Sequence, residues 1–103
     1  MTDFVVILST APAGEVDRIA RTLVEERLAA CISISQVRSY FVWEGKLSEE
    51  IEDMMIIKTA LDLEDKVKAR IKDLHSYELP EVIVLPIIGG AEGYLKWIKL
   101  SLG

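Results

Sequence analysis

The sequence predicts an α+β sandwich on a split βαβ plan: strand, helix, strand, strand, helix, strand and a closing helix, with a long central hairpin. Three observations carry this. Two continuous β-rich apolar runs, Phe4-Val5-Val6-Ile7-Leu8 and Val82-Ile83-Val84-Leu85, each lie beside a stretch of helical period. Two long strand-like segments meet at the dipeptide Glu44-Gly45. The 103 residues, 50% hydrophobic and 28% charged, are enough for one domain, 1–103, with a core of its own.

The first run has no polar alternation, which suits a central strand buried on both faces. Pro12 and Gly14 then break the chain. From Glu15 the period changes: Val16, Ile19, Ala20, Leu23, Val24 and Leu28 fall on one helical face, and Glu15, Asp17, Arg18, Arg21, Glu25 and Glu26 on the other. Acidic residues at its start and Arg27 near its end complement the helix dipole. Residues 32–43 read as a long strand, Glu44-Gly45 as a two-residue turn, and residues 47–59 as the returning strand. Asp62 is placed to cap a second helix, with Asp65 in the first turn and Leu63, Val67, Ile71 and Leu74 along one side. Pro80 separates that helix from residues 82–85, another strand of the buried type, which Gly89-Gly90 closes. Tyr94, Leu95, Ile98 and Leu102 stripe the last helix. The first six elements match the ferredoxin-like plan, an antiparallel four-stranded sheet with two helices on one face.

Charge and cysteine usage exclude several functions. Twelve Lys and Arg against 17 Asp and Glu leave a net charge of −5, the wrong sign for non-specific contact with nucleic acid. One Cys rules out a disulfide framework within the chain. One Cys and one His cannot supply the four ligands of a structural zinc site. Met1-Thr2-Asp3 is acidic where a signal peptide needs positive charge, and no run approaches the ~20 apolar residues of a membrane span. The expected setting is the cytoplasm, with no nucleic-acid or membrane partner. No phosphate loop or nucleophile elbow appears, and the residues alone identify no reaction.

The hairpin implies assembly. A compact chain of this length has a radius of gyration of about 13 Å and a diameter of roughly 34 Å, whereas twelve or thirteen strand residues span about 40 Å. Part of the hairpin should project and expose backbone edges, which proteins pair, cover or charge. Glu49-Glu50-Ile51-Glu52-Asp53 charges one arm, but Ile51, Met54, Met55, Ile56 and Ile57 lie within it or follow it. That mixture fits pairing with another subunit.

Few residues carry chemistry. Cys31, in Leu28-Ala29-Ala30-Cys31-Ile32, reads first as a small buried hydrophobe and second as a soft metal ligand. His75, in Leu74-His75-Ser76-Tyr77-Glu78-Leu79-Pro80, reads either as a helix C-terminal cap or as part of a His-Tyr-Glu patch for a metal or small ligand. Lys58, late in the apolar Met54-Met55-Ile56-Ile57-Lys58, must reach water, a carboxylate or an anionic ligand, because burying it unpaired is too costly.

Several segments, in order along nearly the whole chain, resemble the CutA family of divalent-cation tolerance proteins: Ser9-Thr10-Ala11-Pro12; Leu23-Val24-Glu25-Glu26-Arg27-Leu28-Ala29-Ala30-Cys31; Arg38-Ser39 with Trp43-Glu44-Gly45-Lys46; Ile56-Ile57-Lys58-Thr59; His75-Ser76-Tyr77-Glu78-Leu79-Pro80; and Tyr94-Leu95-Lys96-Trp97-Ile98. The resemblance implies a ferredoxin-like homotrimer, architecturally close to PII signalling proteins, associated with copper and other divalent metals and with no enzyme activity. It points to His75 as the metal ligand that remains of the family's set, whereas Cys31, the soft ligand of the residue reading, belongs to a different motif. The family's His-Pro-Tyr reads His75-Ser76-Tyr77 here, and a Cys and a second His of some members are replaced by Ser9 and Leu74. A rival reading is a PII-like sensor holding a small anion in a cleft between subunits, lined by Trp43, Lys58, Tyr77, Glu78 and Trp97. A third is a scaffold trimer that anchors partner proteins.

Overall fold

A computed structural model describes residues 3–103. Of the acidic start Met1-Thr2-Asp3, only Asp3 falls among them. The elements are β1 (Phe4–Pro12), α1 (Val16–Glu25), β2 (Cys31–Trp43), β3 (Lys46–Ala60), a 3-10 turn (Leu61–Leu63), α2 (Glu64–Leu74), β4 (Ile83–Pro86) and α3 (Glu92–Ser101). The four strands form one antiparallel sheet in the order β2-β3-β1-β4. β3 is thus inserted between β1 and β2, the split βαβ arrangement expected from the element order. No helix of the described residues is long and apolar enough to cross a membrane.

One face of the sheet makes the core. Val5, Ile7 and Ala11 of β1 and Met55 and Ile57 of β3 meet Val16, Ile19 and Leu23 of α1 and Val67 and Ile71 of α2. Strand alternation puts Val6, Leu8, Met54 and Ile56 on the opposite face, where these four are half-buried. β1 is therefore central but covered on one side, not on both as its unbroken apolar run suggests.

Helix α1 ends at Glu25, short of the expected Leu28. Arg27 takes a left-handed φ of 59°, and the N–H groups of Leu28 and Arg27 bond to the carbonyls of Leu23 (2.9 Å) and Val24 (3.0 Å). This is a Schellman closure, and Leu28 keeps helical spacing in sequence because it is the apolar residue that folds back toward Leu23. Arg27 does not complete the helix; its guanidinium donates to the Ser101 carbonyl at the end of α3 (3.3 Å). Asp62 lies inside the 3-10 turn and makes no capping bond, so α2 starts from Leu63 instead.

The hairpin register matches the expected turn: Trp43 pairs Lys46, and Glu44 (φ 51°) and Gly45 (φ 77°) both adopt the positive φ of a type I′ turn. β1 ends opposite Glu52, whereas the β2–β3 ladder continues to Trp43 and Lys46. Residues 38–43 and 46–51 consequently pair only with each other, a projection of about 20 Å. The molecule measures 45 × 25 × 21 Å with a radius of gyration of 14.3 Å, elongated relative to the sphere expected for its length. β4 begins one residue later than the apolar run and forms an edge, with Ile83 and Leu85 exposed where a buried strand was expected.

Candidate functional site

At one end of the sheet the segment after α2 folds over the end of β1. His75 is 8% exposed and its ring is enclosed. Its Nε2 lies 2.8 Å from the Thr10 carbonyl oxygen, and its Nδ1 accepts the Tyr77 backbone N–H at 3.0 Å. A carbonyl only accepts, so Nε2 carries the proton and the Nδ1 lone pair is already used. The ring does not cap α2; Arg18 does, donating to the Leu74 carbonyl at 2.8 Å. Glu15 secures the same segment by accepting from the Ser76 N–H (2.6 Å) and hydroxyl (2.8 Å). Burial opposes ionisation of Glu15, but the two bonds from Ser76 and the Arg18 guanidinium outweigh it and hold the carboxyl below its ordinary value.

Around this anchor gather Tyr77, read with His75 as one patch, and two carboxyls that the sequence reading did not place there, Glu52 and Glu81. Glu52, read as part of an exposed acidic run, is only 6% exposed. Tyr77 has its phenol pushed up, first by burial and then by Glu52, Glu50 and Glu15. Glu81 is raised by burial and by Glu52. Tyr77 also tilts against the His75 ring at 4.8 Å. Nothing in the acidic run itself distinguishes Glu52; its burial depends on a segment some 25 residues away.

The other chemical cluster lies farther along the sheet. Lys58 is the cross-strand partner of Cys31, and its ammonium donates to Ser33 Oγ at 2.8 Å and approaches Cys31 Sγ at 3.9 Å. The Tyr94 phenol is pushed up by burial and then by Cys31, and its ring stacks on Trp97 at 5.5 Å. Ser33 and Tyr94 were not anticipated; Ser33 is signalled only by its register beside Lys58.

Within one chain the expected site residues therefore fall in three places. His75, Tyr77 and the exposed Glu78 lie at the β1 end. Cys31, Lys58 and Trp97 lie near the start of β2, and Trp43 lies at the hairpin tip, 60% exposed. Thr10, bonded to His75, pairs with Met54, four residues from Lys58 on β3. That separation is about 13 Å, so His75 and Cys31 of one chain cannot share an ion. Among the described residues no three His, Cys, Asp or Glu side chains gather as a metal-holding group.

Residues 4–101 match the family model for the CutA1 divalent ion tolerance protein. A curated relative named divalent-cation tolerance protein CutA, from Thermus thermophilus, is 43% identical over 100 residues, covering 95% of this chain and 97% of that protein. Among solved structures, the CutA of Archaeoglobus fulgidus, titled a periplasmic divalent cation tolerance protein, superposes with a TM-score of 0.93 at 38% identity over the full length of both chains. That of Synechococcus elongatus gives 0.95 at 33% identity, covering 100% of this chain and 93% of the other.

Proposed function

The chain belongs to the CutA1 divalent ion tolerance family, and on that premise we propose that it works as a homotrimer whose subunits jointly bind divalent metal ions. The family is described by cation tolerance and not by a catalysed reaction. The observation that carries the assembly is the projecting hairpin. Its strand edges beyond Glu52 have no partner among the described residues, and Val42, Leu47 and Ile51 on it are 69%, 75% and 60% exposed. Exposed apolar side chains beside open strand edges are what a strand-pairing interface uses, and closure into a ring removes those edges.

For the metal, one chain offers too few donors. His75 does not fit as a free ligand, since coordination through Nδ1 would break its bond from Tyr77. Glu81 is held raised by burial and then by the nearby Glu52, and in this reading the two supply oxygen donors that a neighbouring subunit completes. Such a set is hard. The soft donor that would select copper, Cys31, sits at the other cluster, so carboxylate-binding divalent ions are the cargo in this reading and Cu(II) is the comparison. The compartment remains the cytoplasm in this proposal, checked by fractionating cells that express the chain.

Equilibrium dialysis with Mn(II), Zn(II) and Cu(II) tests the metal reading, on the parent protein and on the variant Glu52→Gln with Glu81→Gln. Loss of binding in the double variant at unchanged oligomeric mass supports it. Undiminished binding in that variant overturns it.

A further inference from the structure

At the end of the sheet opposite the hairpin, an open groove runs between the start of β1, the loop from β4 to α3, and α3 itself. Phe4 pairs with Ala60 and Pro12 with Glu52, so the groove lies about 27 Å from where the hairpin begins to project. The Ile87 N–H donates to the Phe4 carbonyl at 3.0 Å and leads the chain over the end of β1. The Tyr94 and Leu95 N–H groups return to the Ala91 carbonyl at 3.1 and 3.0 Å and start the helix. Gly90 brings the loop against that helix, since a Cβ there would already touch Leu95 Cδ2 at 3.4 Å. The groove holds about 470 Å³, within the roughly 300–1,000 Å³ of small-ligand sites.

Helical period divides α3 into two faces. Tyr94, Trp97 and the fully buried Ile98 share the face by which α3 packs on β3. Glu92, Leu95, Lys96 and Lys99, at i, i+3, i+4 and i+7, share the other and line the groove. The groove is therefore turned away from the sheet face and from the hairpin edges that carry the assembly.

Its charges are unpaired. Among the described residues no carboxylate oxygen lies within 4.0 Å of the Lys96 or Lys99 ammonium, and no cation lies that near Asp3 or Glu92. Glu92 and Lys96 nonetheless have the i, i+4 spacing that commonly pairs. Two ammoniums and two carboxylates thus stand around an apolar floor of Phe4, Ile87 and Leu95. A simple anion would gain from the lysines and lose to the carboxylates, and a simple cation the reverse. A ligand that carries both charges beside an apolar group satisfies all three parts.

We propose that this groove binds the zwitterion of an apolar α-amino acid. Its carboxylate meets Lys96 and Lys99, its ammonium meets Asp3 and Glu92, and its side chain lies on Phe4, Ile87 and Leu95. All these groups belong to one chain, so the site needs neither a neighbouring subunit nor a metal.

L-Leucine is the probe, titrated calorimetrically into the protein as purified. Three analogues each remove one part: 4-methylpentanoate the ammonium, 3-methylbutylamine the carboxylate, and glycine the side chain. Leucine should bind at about 10 mM or below, and each analogue at least about fivefold more weakly. Lys96→Met combined with Lys99→Met should weaken leucine about tenfold. Glu92→Gln should weaken leucine several-fold and leave 4-methylpentanoate no weaker, and it keeps the test meaningful where the double variant does not fold. No leucine binding at that concentration overturns the site, including in a trimer that covers the groove. So does any analogue that binds as tightly as leucine, or a folded double variant that binds like the parent. Oligomeric mass and metal dialysis are read separately, so failure here leaves the trimer and its metal standing, and their failure leaves this site standing.

Discussion

The His75 Nε2–H donates to the Thr10 carbonyl across 65 positions of sequence, at 2.8 Å, in an enclosed setting. With the Nδ1 bond from Tyr77 it joins the end of β1 to the segment leading from α2 to β4. The ring is a brace before it is anything else. His75→Ala should cost about 2–4 kcal/mol, one buried and one half-buried hydrogen bond plus a small cavity. Urea denaturation measures it, and a loss below about 0.5 kcal/mol would show that the ring braces nothing.

The two carboxyls flanking this brace should respond to pH in opposite senses. Glu15 is held below its ordinary value of 4.5 when folded, so its stabilisation is present above that value and is lost as pH falls through the folded value. Glu81 is raised when folded, so its contribution is full below 4.5 and is lost as pH rises through the folded value. Glu15→Gln should therefore destabilise at pH 7 and converge on the parent in acid. Glu81→Gln should stabilise at pH 7, with the gain fading in acid. Parallel urea midpoints against pH distinguish these, and the same sign for both variants at pH 7 would contradict the assignment.

Ser9 is fully buried and its hydroxyl has no hydrogen-bond partner among the described residues. Leaving such a group unsatisfied costs about 1–3 kcal/mol. Ser9→Cys, nearly the same size with a far weaker demand for partners, should raise stability by about 1 kcal/mol. A thermal midpoint that falls instead would mean the hydroxyl is satisfied in solution.

The hairpin tip should matter to assembly and little to the fold of a subunit. Leu47 is 75% exposed and lies beyond the reach of β1, so an added charge there meets only solvent in a lone chain. Leu47→Asp should lower the oligomeric mass while leaving the circular dichroism spectrum β-rich. An unchanged mass would remove the hairpin from the interface.

The parts of the fold most legible in the sequence are those that local chemistry decides. Glu44-Gly45 between two β-rich runs places the turn to the residue, and the ladder register follows from it. The end of α1 is not legible, because Leu28 satisfies both helical spacing and the fold-back toward Leu23. The apolar run of β4 signals burial, yet Ile83 and Leu85 are 47% and 45% exposed. At the candidate site the type of residue is visible and its company is not. His75 announces itself as the lone imidazole, but its Thr10 partner is a backbone carbonyl that leaves no mark in sequence. Glu52 hides among its acidic neighbours for the same reason: burial from a distant segment has no local signature.

Assembly is the claim on which the shared metal site rests, and mass measures it most directly. Light scattering at micromolar concentration should give close to three times the 11.5 kDa of one chain. Assembly should be lost together with folded structure on dilution in denaturant, as in an obligate oligomer. A stable 11.5 kDa species with a fully folded circular dichroism spectrum would contradict the account.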